Sequence, residues 1–246
     1  HRQHCLGALW SPTEMIVEAR QAIGQVAGWL QAQGVVFHFG TAVTEAGSGR
    51  VVAGGLHYEA DLVLICSGAD FETLFPQHFA QAPITRCQLQ MMRLAAQPAG
   101  FHMGPALCGG LSLIHYKSFE AAPSLGALRT YYQRQMPQYL AAGIHVMACQ
   151  NHAGEITVGD THEYGLHLPP FDKAEWNHWV LQYLQTFAHF PQQAVAQTWN
   201  GQYAKLTNGA TEWVAQPEPG VWVVNGLGGA GMTLSFGLAE ELATQW

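Results

Sequence analysis

Eight residues near the C-terminus, Gly226-Leu227-Gly228-Gly229-Ala230-Gly231-Met232-Thr233, set the tightest limit on the fold. They follow the apolar run Val221 to Val224 and open a helical pattern that continues to Trp246. Strand, glycine turn and helix together make a cradle for phosphate groups, because glycine frees backbone amides and the helix end is positive. Asn225 supplies a hydrogen-bond donor, and Thr233 places a hydroxyl in the first helical turn. Leu234, Leu238 and Leu242 form an i, i+4 stripe expected to dock the helix. A dinucleotide fingerprint of the usual kind needs a further β-unit and an acidic residue about 20 positions on. Only 15 residues follow Gly231. The turn therefore completes a nucleotide-binding domain begun elsewhere.

Upstream, Ser11, Pro12 and Glu14 carry a helix-start signal, but Ile16 and Val17 prefer a strand. The pattern predicts a helix from Ala19 to Gln33, with Ile23, Val26, Ala27 and Leu30 on one face and Gly34 as the stop. Short strands are predicted at 34–39, 41–45, 50–53 and 56–58. Leu62 to Cys66 is continuously apolar, as in a strand covered on both faces. It ends in Ser67-Gly68, small residues that let a ligand approach the strand terminus, where open α/β sheets bind ligands. From Pro83 the texture changes to short strands (87–94, 144–149, 155–158) between Gly- and Pro-rich loops, which predicts an antiparallel sheet. Asp172 and Glu175 form a capping box for a helix whose stripe is Trp176, Trp179, Val180, Tyr183, Leu184 and Phe187. That stripe is expected to be core.

Composition narrows the class. Hydrophobic residues make up 48% and charged residues 11%, so a sizeable core can form. The ten Lys and Arg are scattered and the net charge is −7, against the clustered cations that nucleic-acid binding requires. No polybasic patch or long apolar run points to a membrane. The five Cys form no CxxC, which disfavours a disulfide framework and fits reduced thiols in a cytoplasm. The chain opens His1-Arg2-Gln3-His4, without Met and without the start of a helix or strand, so a preceding segment is expected to be missing.

The whole chain resembles the C-terminal two-thirds of FAD-dependent oxidoreductases of the D-amino-acid oxidase class, which includes glycine oxidase and sarcosine oxidase. "VVNGLGGAGMTLSFGLAEEL" is similar to the closing element beside the flavin, and "ADLVLICSGAD" to the returning strand near the FAD phosphates. "FGTAVTEA" is similar to the segment whose apolar residue, here Val43, touches the adenine region through its backbone. The opening glycine fingerprint of the class is absent, which implies a truncated chain that binds FAD weakly or not at all by itself. The fold implied is α/β plus α+β. It comprises an incomplete Rossmann-like FAD-binding domain (1–82 and 205–246) and an antiparallel-sheet substrate domain (83–204). The FAD contacts implied are Val43, Ser67, Gly68, Gly226, Leu227, Gly228, Gly229, Ala230, Gly231, Met232 and Thr233. "CQLQMMRL", "GLSLIHYKSF", "HVMACQ", "GDTHEYG" and "WNGQYA" resemble a subgroup associated with phosphonate metabolism.

The implied chemistry is oxidation of a C–N bond, with hydride passing from the carbon beside nitrogen to the flavin. It requires no protein base, and no catalytic residue is assigned. Amino-acid oxidases of the class commonly carry Arg two residues after the Gly of the "WNGQYAK" segment, where it grips a carboxylate; here that position is Tyr203. A phenol cannot make that bidentate pair. The implied substrate is a small amine, with an aminoalkylphosphonate or its N-methyl form expected over a simple α-amino acid. The alternatives are glycine or sarcosine, or a non-catalytic flavin-binding fragment. Lys205, Lys117 and Arg129 are candidate cations for a phosphonate; Tyr203, Lys205 and His162 are the expected substrate contacts. No Cys follows Gln150, so FAD is expected to be dissociable at the attachment near that segment. Thirteen His, with Asp160, His162 and Glu163 close together, offer ligand types for a metal. There is no HExxH or HxH motif, and no metal is expected.

Overall fold

The computed structural model describes residues 5–246; His1-Arg2-Gln3-His4 lie outside the described residues. In chain order the elements are α1 (Ala19–Ala32), β1 (Val43–Gly47), β2 (Arg50–Ala53), β3 (Leu56–Glu59), β4 (Val63–Ile65), α2 (Pro76–Gln81) and β5 (Ile84–Leu94). Next come β6 (Leu107–Cys108), α3 (Leu111–His115), α4 (Leu125–Gln135), α5 (Pro137–Ala141), β7 (Met147–Gln150), β8 (Ile156–Gly159) and β9 (Glu163–Gly165). The last are α6 (Ala174–Phe187), β10 (Val195–Leu206), β11 (Trp213–Glu218), β12 (Val221–Asn225) and α7 (Gly231–Ala243). Among the described residues no helix is long and apolar enough to cross a membrane.

Two compact units emerge. One comprises Val36–Cys87, Tyr164–Leu168 and Gln202–Trp246 and contains the glycine turn. In it β1, β2 and β3 form an antiparallel meander, and β11, β12 and β4 a second sheet. β12 runs parallel to β4, with Val221, Trp222 and Val223 opposite Val63, Leu64 and Ile65. The core joins Val63, Ile65, Val221 and Val223 to Phe71, Phe79, Ile84 and Leu206. Continuous apolarity in β4 does not mean double cover here. Val63 and Ile65 are buried while Leu62 and Leu64 are exposed, because among the described residues only one face of the strand is packed. The leucine stripe of α7 behaves in the same way: Leu242 is buried and Leu234 is exposed.

The other unit comprises the residues up to Val35, Gln88–Glu163 and Pro169–Gly201. The sheet order is β10-β5-β8-β7-β6, with β9 also on β5. Met92, Leu94, Ile156 and Val158 from the strands meet Val180, Tyr183 and Leu184 from α6. The aromatic stripe of α6 is thus core packing, as its spacing predicts. α1 groups with this unit and not with residues 36–82. Arg20 lies 3.9 Å from Glu155, and the Gln21 amide bonds the His152 ring.

The helix starts at Ala19 as expected, and the signal at Ser11 leaves only the Glu14 N–H donating to Ser11 Oγ. Two local expectations are corrected. No strand forms at 34–39. The Val35 N–H instead donates to the Leu30 carbonyl, closing α1 where Gly34 takes φ 94°. Asp172 does not cap α6: Lys173 stands at the N-cap, and Asp172 accepts from Asn200. Gln90 of β5 does the capping, accepting from the Lys173 N–H and donating to the Lys173 carbonyl and the Asn177 side chain.

Candidate functional site

The carboxyl ends of the parallel pair β4 and β12 lie side by side, and each leads into a glycine turn. Asn225 joins the two turns. Its Nδ2 donates to the Gly68 carbonyl at 3.0 Å, and its Oδ1 accepts the Gly226 N–H at 2.7 Å. Gly68 has φ 60°, and a Cβ there would meet nothing within 4 Å, so the backbone is open to an approaching group. Gly226 has φ 80°, and a Cβ there would lie 2.9 Å from Leu206. Glycine is required at that corner on both counts. Gly228–Ala230 form one 3₁₀ turn, and α7 begins at Gly231. Ala230 at the N-cap gives no side-chain hydrogen bond to the first turn of α7, whose end is positive. Met232 and Thr233 lie exposed in its first turn.

The turn after β4 is held by its own polar groups. Ser67 Oγ donates to the Asp70 carbonyl at 2.7 Å, and Asp70 Oδ1 accepts the Glu72 and Thr73 N–H groups. A hydrogen bond from the Thr73 side chain, and after it these N–H groups and the Arg86 charge, hold the Asp70 carboxyl below its ordinary value against burial. Arg86 supports the same turn, donating to the Ala69 carbonyl at 2.8 Å and gripping Glu72. In the meander, Val43 sits at a register shift opposite Ala53. It lines a cavity of about 210 Å³ with His38, Thr41, Val51, Ala53 and Tyr58.

Tyr203 and Lys205 share one face of β10, alternating with buried Ala204 and Leu206. That face looks onto the glycine turn. A Cβ on Gly229 would stand 3.4 Å from Tyr203 Oη, and one on Gly228 3.9 Å from the ring. Lys205 pairs with Leu227 in an isolated bridge, and its Nζ lies 5.9 Å from the Tyr164 ring centre. Arg50 and Arg86, the other Lys or Arg residues of this unit, pair with Glu45 and Glu72. Tyr203, Lys205 and the turn are therefore brought together. Lys117 and Arg129 are exposed residues of the other unit.

His162 also belongs to the other unit, where it joins a group of titratable side chains. His115 ends α3, His145 precedes β7, and His162 follows β8. The His115 and His145 ring centres are 3.8 Å apart, and His115 and His162 4.7 Å. Asp160 lies among them, with Oδ1 3.3 Å from His145 Nε2 and Oδ2 3.9 Å from His162 Nε2. The main chain fixes this grouping: the Asp160 N–H donates to the His145 carbonyl and the His162 N–H to that of Ala142. Burial pushes the Asp160 carboxyl up to about 7, against one opposing backbone hydrogen bond. Burial, with Asp160 and Cys108 adding to it, pushes the Tyr116 phenol up to about 12. Glu163 is outside the group, paired with Lys173 at 2.8 Å.

His115, His145 and Arg86 carried no signal in the sequence, since their partners are 14 to 80 residues away. Isolated His residues far apart in a chain match no ligand spacing, and only the pairing of β7 with β8 brings two of them together.

Residues 2–245 match the family described as DAO, FAD dependent oxidoreductase. Among solved structures, the chain is similar to glycine oxidase from Geobacillus kaustophilus, at 15% identity and TM-score 0.55, over 86% of this chain and 49% of that one. It is similar to L-proline dehydrogenase from P. horikoshii, at 16% identity and TM-score 0.65, over 92% and 54%. L-amino acid deaminase from Proteus vulgaris gives 16% identity and TM-score 0.52, over 85% and 46%. No curated protein matches the chain. The chain spans about half the length of the solved structures it matches. Those structures share its fold, and the family match covers nearly every residue: this chain belongs to the DAO family of FAD-dependent oxidoreductases.

Proposed function

We propose that the intact protein oxidises the C–N bond of a small amine, and that its substrate class is an aminoalkylphosphonate or the N-methyl form of one. The residues present fit FAD. Gly68 leaves open space, and the first turn of α7 offers its amides to negative charge. Ser67, Gly68 and Gly226 to Thr233 would hold the phosphates and the flavin side, and Val43 would hold the adenine region at its cavity. When bound, FAD supplies the hydride acceptor. The chain's own part is to position the amine and to exclude water.

The observation that carries the substrate reading is the Tyr203 side chain against Gly228 and Gly229, with Lys205 two residues on and bridged to Leu227. Tyr203 offers one hydroxyl and no fork of donors, which disfavours bidentate capture of a carboxylate. Lys205 is a compact point charge, suited to a phosphonate oxygen. The test is turnover by the intact protein, measured by peroxide formation or dye reduction, on aminoalkylphosphonates, their N-methyl forms, glycine and sarcosine. The phosphonates are expected to be preferred. The Tyr203→Arg variant is expected to lose part of that preference in favour of glycine. Preference of the unaltered protein for glycine would overturn the substrate class, and absence of FAD from the intact protein would overturn the whole reading.

A further inference from the structure

We propose that His115, His145, His162 and Asp160 bind one divalent transition-metal ion of the zinc class. The site is independent of the flavin reading, since it uses no residue of the glycine turn.

One ring nitrogen from each of the three histidines can be chosen so that all lie within 4.8 Å of one another. In a tetrahedral shell with metal–nitrogen bonds of ~2.0–2.1 Å, neighbouring ligand atoms are about 3.3 Å apart. Asp160 Oδ1 and His145 Nε2 stand at 3.3 Å, and Asp160 Oδ2 and His162 Nε2 at 3.9 Å. The three ring nitrogens stand up to about 1.5 Å further apart than in a loaded shell, so binding requires the side chains to rotate inward.

The orientation of the rings favours a cation. His162 Nδ1 lies 2.9 Å from the Gly143 carbonyl, which only accepts, so Nδ1 carries the proton. The neutral ring then presents a lone pair at Nε2 toward the Asp160 carboxylate. A second contact to a main-chain carbonyl is how metal-bound histidines are usually fixed. His145 places Nδ1 3.4 Å from Ser112 Oγ, which can donate or accept, and Nε2 toward Asp160. Asp160 Oδ1 is buried and has no hydrogen-bond partner. A cation held between the buried carboxylate oxygen and the ring nitrogens would be attracted by each of them. The carboxylate also disfavours an anion as occupant.

The frame is rigid. His145 and His162 are almost fully buried, and half-buried His115 gives access. Gly143 has φ 60°, and a Cβ there would meet His162 Cβ at 2.7 Å. Only glycine lets these two segments come so close. Three imidazoles and one carboxylate match zinc, cobalt, nickel or copper better than calcium or magnesium, which take oxygen ligands. Four protein ligands leave no open position, so the ion is structural and ties α3 to the β7–β8 pair.

The test is metal binding by the intact protein after dialysis against a chelator. Zinc is titrated by calorimetry, and cobalt is followed by visible absorption as a probe of coordination number. One equivalent per chain is expected, with the spectrum of four-coordinate cobalt that zinc displaces. His145→Ala and Asp160→Asn are expected to weaken binding by at least ~10–100-fold, and His152→Ala, an exposed histidine outside the group, to leave it unchanged. A shared proton could fill the same gap, and it predicts no saturable binding of zinc or cobalt. That result with the unaltered protein overturns the proposal, whatever the variants do. So does one-equivalent binding of unchanged affinity in a folded His145→Ala protein. Neither outcome depends on FAD content, so failure here is distinguishable from failure of the flavin reading.

Discussion

Arg86 sets the turn that carries Ser67 and Gly68. Its guanidinium donates to the Ala69 and Leu166 carbonyls and to both Glu72 oxygens, and stacks 4.6 Å from the Phe71 ring. Arg86 hydrogen bonding is the chief reason the Glu72 carboxyl sits below its ordinary value, and Arg86 also lowers that of Asp70. Both carboxyls are depressed in the folded state, so the stability they contribute is present above their unfolded values. It is lost as pH falls through the folded ones. Arg86→Ala is expected to cost about 1.5–3 kcal/mol near neutral pH, chiefly through the lost charged hydrogen bonds to carbonyls. Thermal unfolding of both proteins from pH 7 to pH 3 checks this. The gap in Tm should narrow below about pH 4 as the carboxylates protonate. A gap that widens in acid would mean that Glu72 and Asp70 gain nothing from Arg86. None of this was legible in the sequence, where Arg86 is one isolated cation among ten. Gly226 was legible, because its place after an apolar run leaves few other uses for it.

At the scale of elements, periodicity served well where each segment settles its own conformation. The stripe of α6 and the extent of α1 follow from spacing that every turn of a helix must satisfy. The meander β1–β2–β3 follows from short runs and glycine turns. What failed depended on partners. Residues 34–39 have strand-like composition and no neighbouring strand, and β4 has a continuous apolar run and one covered face. Capping of α6 is the clearest case, since Gln90 reaches the helix end from β5 and takes the place expected of Asp172. Gln90→Ala is expected to cost about 1–3 kcal/mol, because the Lys173 N–H and carbonyl and the Asn177 amide lose a largely buried partner. Asp172→Ala should fall within about 0.5 kcal/mol, as surface changes usually do. Chemical denaturation of the two variants ranks them. The reverse order would restore Asp172 as the cap.

For the molecule as a whole, the two proposed ligands engage different compact units, and this separates them experimentally. A ligand that binds only the folded state stabilises it by about 2.7 kcal/mol at a free concentration of 100 times its Kd. Amides that exchange by opening the ligand-bound segment slow accordingly, by roughly 100-fold. In the intact protein, FAD is therefore expected to slow hydrogen exchange at 64–70 and 221–233, the ends of β4 and β12 and the turns that follow. Zinc is expected to slow exchange at 111–115 and 142–162, where α3 and the segments that flank the β7–β8 pair carry the four ligands. The three histidines and Asp160 come from segments that the sequence separates by 14 residues or more, apart from Asp160 and His162. Zinc protection in both stretches would therefore report the assembled cluster and not one surface histidine. Protection confined to a single stretch, or falling on the glycine turn with 142–162 unchanged, would mean that the ion binds elsewhere. FAD that protects 142–162 and leaves 221–233 unchanged would remove the terminal turn from its site.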